Sequence, residues 1–158
     1  NEDYLDIKKL DKAEINAKAF LDEFLNKTFS GATYKISKNE FGLDIALEGD
    51  KISNLIGYRG ETLYALQVLI SSVVNKNIDE KIRISLDIEN YKSKREETLK
   101  QLALKIAKTV EKNKKSVTLE PMQAYERKII HSALQDSQTV KTESIGEEPR
   151  RRVVISLK

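Results

Sequence analysis

The sequence predicts an α+β chain of two small domains, and three observations predict it. Apolar periods of about 3.6 and of two residues alternate along the 158 residues. In "NLIGYRGETL", Asn54 to Leu63, two glycines three apart break an apolar stretch just before a helical one. The charge also changes sign along the chain. Residues 1–88 hold 12 basic and 15 acidic side chains, net −3, and residues 89–158 hold 16 and 10, net +6. The expected division is an extension over 1–11, a unit over 12–88 and a unit over 89–158, with the boundary near Asp87 to Asn90.

Each element has its own signature. From Lys12 to Phe29, Ala13, Ala17, Phe20, Leu21, Phe24 and Leu25 recur at helical spacing, and Gly31 follows as a stop. "ATYKIS" and "FGLDIALE" alternate apolar with polar around the turn "KNEFG", which predicts a hairpin. "DKISNLIG" reads as a short helix halted by Gly57. "ETLYALQVLISSVVN" places Leu66, Leu69, Ile70, Val73 and Val74 on one helical face. "KIRISLDI" alternates Ile82, Ile84, Leu86 and Ile88, a strand buried on one side.

The basic half opens on a helix over 91–114, roughly 35 Å long. Its stripe is Leu99, Leu102, Ala103, Ile106, Ala107 and Val110. Its charge comes from Lys92, Lys94, Arg95, Lys100, Lys105, Lys108, Lys112, Lys114 and Lys115. "SVTLE" predicts a short strand. "PMQAYERKIIHSALQ" predicts a helix with Pro121 at its start, where a missing N–H does no harm. "TVKTESI" and "RRVVISL" predict two strands joined by "GEEPR".

Composition closes off several classes. With 34% charged and 39% hydrophobic residues the chain can build a core under a mostly ionic surface. There is no cysteine, which removes disulfides and thiolate metal sites and suits a reducing cytosol. His131 is the one histidine, so a histidine metal cluster is unavailable. No Lys-Ser or Lys-Thr follows the second glycine, which removes a nucleotide P-loop. No nucleophile stands with a supporting base. No enzyme, cofactor or metal is expected. No apolar run approaches the roughly 18 residues of a membrane span, and none reads as a signal peptide. The opening on Asn1 rather than Met reads as a fragment.

Two constellations point to polyanions. A helix N-terminus carries unpaired N–H groups and partial positive charge, so it can hold an anion. Gly57 and Gly60 would let a phosphate approach the backbone, Arg59 would donate to it, and Tyr58 would stack on a base. The plainer alternative is a C-cap at Gly57 and a turn at Gly60. Arg127 and His131, four apart on one helix, share the rim of the stripe formed by Ile130, Ala133 and Leu134. There Arg127 would pair with phosphate and His131 would hydrogen-bond or stack; the alternative is a satisfied structural histidine. Lys128 and the run Arg150, Arg151 and Arg152 add charge near that face. Alternation splits Arg151 from Arg150 and Arg152, and edge-strand protection is the competing account of the run. Thr142 and Ser144 alternate on one strand as further donors. The basic helix itself reads as a spacer whose charge adds non-specific attraction.

The order helix–strand–strand–helix–Gly-x-x-Gly–helix–strand resembles the type II KH domain, an RNA-binding module whose loop grips nucleotides. That loop usually carries one or two basic residues; here Arg59 is one, Tyr58 replaces a second, and Glu61 follows. "LEPM", "ERKIIHSALQ" and "VKTESIGEEPRRRVVI" resemble an Arg-xxx-His (R-3-H) domain, which binds single-stranded nucleic acid. Together with "IGYRGETLYALQ" and "LDIENYKSKREETLKQLA" they resemble the bacterial Jag family, also called KhpB or EloR and associated with the membrane insertase SpoIIIJ. The likeness runs from about Lys12 to Leu157. Tyr64 departs from it, standing where relatives often have an acid.

That resemblance implies a KH type II-like three-stranded sheet with helices on one face, then an R-3-H α/β domain with a small three-stranded sheet. It implies a non-catalytic regulator that binds single-stranded RNA, or single-stranded DNA, through Gly57, Tyr58, Arg59, Gly60, Arg127 and His131. Lys128, Ser144, Arg150, Arg151 and Arg152 would support them. It further implies control of bacterial cell elongation and envelope synthesis, and a cytoplasmic location with recruitment to the membrane through partners. The expected partner is a small KH protein of the KhpA type or a second copy, through the KH domain. Full-length members begin with a further small domain and a variable linker, which would bring membrane-protein partners; only "NEDYLDIKKL" precedes the first helix here. The competing class is an interaction or dimerisation scaffold in which only the R-3-H domain binds nucleic acid.

Overall fold

Apolar side chains at helical spacing from Leu10 to Leu25 fold the first segment into helix α1, Ile7–Thr28. The computed structural model describes residues 7–158, and the chain divides into two units between Lys92 and Ser93. Of the expected 1–11 extension, residues 7–11 are thus helix and the remainder lies outside the described residues. The buried stripe of α1 is Leu10, Ala13, Ala17, Leu21 and Leu25. Phe20 and Phe24 are only partly buried and stack on each other, ring centres 5.6 Å apart.

The hairpin follows as β1, Ala32–Asn39, and β2, Gly42–Gly49, paired antiparallel from Ala32↔Gly49 to Asn39↔Gly42. A single 3-10 turn, Ile52–Leu55, replaces the helix expected of "DKISNLIG". Left-handed Lys51 and then positive-φ Gly57 bracket too few residues to nucleate an α-helix. Helix α2, Glu61–Val74, leads to β3, Arg83–Ile88, which joins β2 in parallel. The sheet order is β1-β2-β3.

Leu43, Ile45 and Leu47 alternate inward on β2, as Ile84, Leu86 and Ile88 do on β3, against the stripes of α1 and α2. Both helices therefore lie on one face of the sheet. On α2 the stripe is Leu63, Leu66, Ile70 and Val74. Leu66, Ile70 and Val74 are buried as expected, but Leu69 is 49% exposed and Val73 half-buried, and Leu63 takes the inward position at the helix start.

The second unit holds most of α3, Tyr91–Asn113, followed by β4, Val117–Thr118, and α4, Ala124–Leu134. It closes with β5, Val140–Ile145, and β6, Arg152–Leu157. All pairings are antiparallel in the order β4-β6-β5. Leu99, Ala103, Ala107 and Val110 pack with Ile130, Leu134, Val140, Val153 and Ile155 as a separate core.

Pro121 is not at the start of α4. The chain stays extended through Met122, whose N–H donates to Arg151 O at 3.2 Å, and Gln123 is the N-cap. Glu126 completes a capping box there, and its other oxygen accepts from Arg95 Nε at 2.8 Å. Arg95 is thus the half-buried partner of a buried acid rather than part of a basic surface. β6 is the central strand, so edge protection does not account for the arginines beside it. No helix among the described residues is long and apolar enough to cross a membrane.

Candidate nucleic-acid interface

The glycine loop turns through three positive φ values, 70° at Gly57, 51° at Arg59 and 81° at Gly60. Those angles suit glycine and cost a side-chain-bearing residue such as Arg59 some strain. The glycines are needed for a different reason than phosphate approach. A Cβ on Gly57 would lie 2.1 Å from Thr62 Oγ1, and one on Gly60 would lie 2.7 Å from Tyr91 Cε1 and 2.9 Å from Tyr64 Cε2. Both positions face the protein's own side chains. Tyr64, unexplained by sequence, is therefore part of the wall behind Gly60.

The amides at the head of α2 are also largely occupied. Gly60 N donates to Gly57 O at 3.4 Å, Glu61 N to Tyr58 O, and Leu63 N to Ile56 O at 3.1 Å. An anion there meets fewer free N–H groups than an uncapped helix would offer. What the loop does present is Tyr58, 66% exposed, with the Arg59 guanidinium 4.9 Å from its ring centre. That is within cation–π range, with Arg59 itself half-buried.

Further along α2, that helix and the free edge of β3 enclose a cavity of about 310 Å³ lined by Gln67, Val68, Ser71, Ser72, Asn75, Lys81 and Ile84. Side chains of α2 satisfy the strand edge. Asn75 Oδ1 accepts from Ile82 N at 2.7 Å while its Nδ2 donates to Ile82 O at 2.9 Å. Gln67 Oε1 accepts from Leu86 N at 2.9 Å and from Lys92 Nζ at 3.2 Å. Burial pushes the Lys92 ammonium below its usual range, with Asp87 and Asp44 opposing. The groove runs alongside the second half of α2, from Gln67 to Asn75.

In the second unit Arg127 is not on the rim. It is 7% exposed, donating from Nη1 to Met122 O at 2.7 Å and from Nη2 to Glu148 Oε1 at 2.6 Å. His131 is gripped at both nitrogens, Nδ1 by Thr142 Oγ1 at 2.6 Å and Nε2 by Ser144 Oγ at 2.7 Å. Burial, and secondarily the charge of Arg127, lower its pKa, so the ring is neutral at pH 7. One hydroxyl then donates to the ring and the other accepts. Thr142 and Ser144 are thereby committed to His131 rather than free.

The register separates the arginine run. Ser144 pairs with Val153 and Ile145 with Arg152, so Arg152 shares the face opposite His131. Arg152 Nε donates to Arg150 O and Arg151 Nη1 to Gly146 O, holding the turn, while Arg150 is exposed. Lys128 is exposed on α4. Among the described residues no group of three or more His, Asp or Glu could hold a metal.

Known families account for this pairing of units. Residues 17–88 match the KhpA/KhpB KH domain and residues 97–157 the R-3-H domain. RNA-binding protein KhpB of Clostridium symbiosum is 48% identical over 142 residues, 86% of this chain and 64% of that protein. RNA-binding protein KhpB of Bacillus subtilis (strain 168) is 38% identical over 154 residues, 96% of this chain and 74% of that protein. The chain belongs to the KhpB family. A further KhpB, from Streptococcus pneumoniae serotype 2, is 28% identical over 137 residues, 87% of this chain but 42% of that protein. The chain thus spans about two thirds of the Clostridium KhpB and less than half of the pneumococcal one.

Several residues that shape these sites escaped the sequence reading. Gln67 and Ser71 on α2 and Asn75 at its C-cap recur every four positions, and that polar stripe was the available signal. Glu148 and Met122 gave none, since their contact with Arg127 depends on the tertiary path.

Proposed function

We propose that this KhpB-family chain binds single-stranded RNA without chemistry of its own, each module holding its own stretch of strand. The observation that carries the reading is the tandem of KH and R-3-H domains in a chain whose relatives are named RNA-binding protein KhpB. In the first module Arg59 meets a phosphate, Tyr58 stacks on a base, and the strand continues along the groove beside α2. Gly57 and Gly60 fix the loop that aims both side chains. In the second, Arg127 and His131 set the shape of a face on which Lys128 and Arg150 supply exposed charge, with Ser144, Arg151 and Arg152 bracing it. Linking two modest sites raises the effective affinity of the whole chain. Control of cell elongation and envelope synthesis, in the cytoplasm and beside a small KhpA-type partner, belongs to the same proposal.

A specific observation favours the scaffold as a second reading. Val68 and Leu69, adjacent on α2, are 66% and 49% exposed, an apolar pair suited to a second KH domain. Titrating labelled single-stranded RNA into the whole chain and into Arg59→Asp tests the first reading: the variant should bind several-fold more weakly. Equal affinity, together with a dimer that Leu69→Asp dissociates in sedimentation, would favour the scaffold.

A further inference from the structure

We propose that the outer ridge of α3, Lys105, Lys108 and Lys112, is a track for the phosphates of an RNA strand, separate from the glycine loop and from the Arg127–His131 pair. The inference rests on the RNA-binding reading and assigns to that function a third surface.

The ridge combines unpartnered charge with alignment on one helix face. Several lysines elsewhere are neutralised nearby, among them Lys9 by Glu80 at 2.7 Å, Lys18 by Glu14 at 2.7 Å, Lys38 by Asp11 at 2.6 Å and Lys100 by Glu96 at 2.7 Å. The side chains of Lys105, Lys108 and Lys112 have no hydrogen bond or ion pair among the described residues, and all three are exposed. Glu111 is the only acid between Glu97 and Glu120, and its carboxylate is taken by the Thr139 hydroxyl.

Spacing makes these lysines a line rather than a scatter. At i, i+3 and i+7 they share one face, with rises of about 4.5 and about 6 Å along the axis. That step is comparable to the separation of successive phosphates on an extended strand. Like charges at these spacings repel and weaken the helix itself. The helix dipole accounts for a lysine in the last turn, which covers Lys112 but neither Lys105 nor Lys108. Leu104, 46% exposed on the same side, offers an apolar contact to a base.

The test uses the whole chain with Lys105, Lys108 and Lys112 all changed to Gln, and a second variant with all three changed to Arg. Binding of a labelled oligouridylate is measured across a salt series, with circular dichroism to check the fold. For three phosphate contacts at about 0.7 each, the Gln variant should lose about 2 from the slope of log affinity against log salt. The Arg variant should keep the original slope. An unchanged slope in the Gln variant overturns the track and leaves the RNA reading standing. No RNA binding by the unsubstituted chain overturns both. If the Gln variant instead loses only co-sedimentation with phosphatidylglycerol vesicles, the ridge is a membrane surface and the track is wrong.

Discussion

Arg127 and Glu148 form an ion pair with one partner buried and the other exposed: the Arg127 side chain is 9% accessible, the Glu148 side chain 58%, and 2.6 Å separates Nη2 from Oε1. The carboxylate occupies the Nη2 donor, so an incoming phosphate would have to compete with it for that guanidinium. Glu148→Gln keeps an acceptor for Arg127 but removes the competing charge. It should lower stability by roughly 1 kcal/mol, as a charge-assisted bond becomes a neutral one. Affinity for single-stranded RNA at low salt should rise several-fold, measured by titration alongside thermal melts. Affinity no higher than that of the unsubstituted chain would mean that Arg127 only braces the turn.

His131 carries a pH dependence of definite sign. Burial first, and Arg127's charge second, hold its folded pKa below the ordinary 6.5. The unfolded chain therefore binds the proton more readily, and stability rises with pH across the window from the lowered value up to about 6.5. Acidification through that window should destabilise the second unit, and the loss should level off beneath it. Melts at a series of pH values, compared with His131→Gln, check this. The variant should show a flatter profile between about pH 7 and pH 5, and an identical profile would rule the mechanism out.

What the sequence disclosed and what it withheld follow one physical division. Element order was legible because period two and period 3.6 are local properties, as the alternation from Ile82 to Ile88 shows. Leu63 was missed and Leu69 included because a helical wheel without its neighbours leaves the phase uncertain by a residue. The glycine spacing was legible, but its cause was not: Tyr91, which closes on Gly60, lies thirty-one residues downstream. Arg127 and His131 were found as a pair, yet their depth depends on Met122, Glu148, Thr142 and Ser144, which come from other segments. Local pattern gives direction, and tertiary neighbours decide exposure.

The glycines make a graded stability series. Gly60 combines φ of 81° with a wall at 2.7 Å, so Gly60→Ala adds left-handed strain of roughly 1–2 kcal/mol to an overpacking cost of about 1–3 kcal/mol. Gly31 has its nearest non-neighbouring atom at 3.9 Å and no positive φ, and Gly31→Ala should be neutral or mildly stabilising. Urea denaturation of both variants checks the contrast. Equal losses would show that the Tyr64–Tyr91 wall yields freely.

Asn75 is the most exacting test of the groove. Its amide satisfies both backbone groups of Ile82, donating to one and accepting from the other, and its Nδ2 also reaches Ser71 O at 2.8 Å. Among the described residues no other is placed to replace it at that point of the β3 edge. Asn75→Ala should cost about 1–3 kcal/mol for the orphaned, half-buried polar groups. Asn75→Asp keeps the acceptor for Ile82 N but sets a carboxylate against Ile82 O, so it should be nearly as damaging. Hydrogen exchange locates the effect: the Ile82 amide should lose protection in Asn75→Ala and keep more of it in Asn75→Asp, while Leu86, held by Gln67, keeps its own in both. Loss of protection along the whole strand would mean that the edge is held cooperatively and that Gln67 and Asn75 act as one clamp.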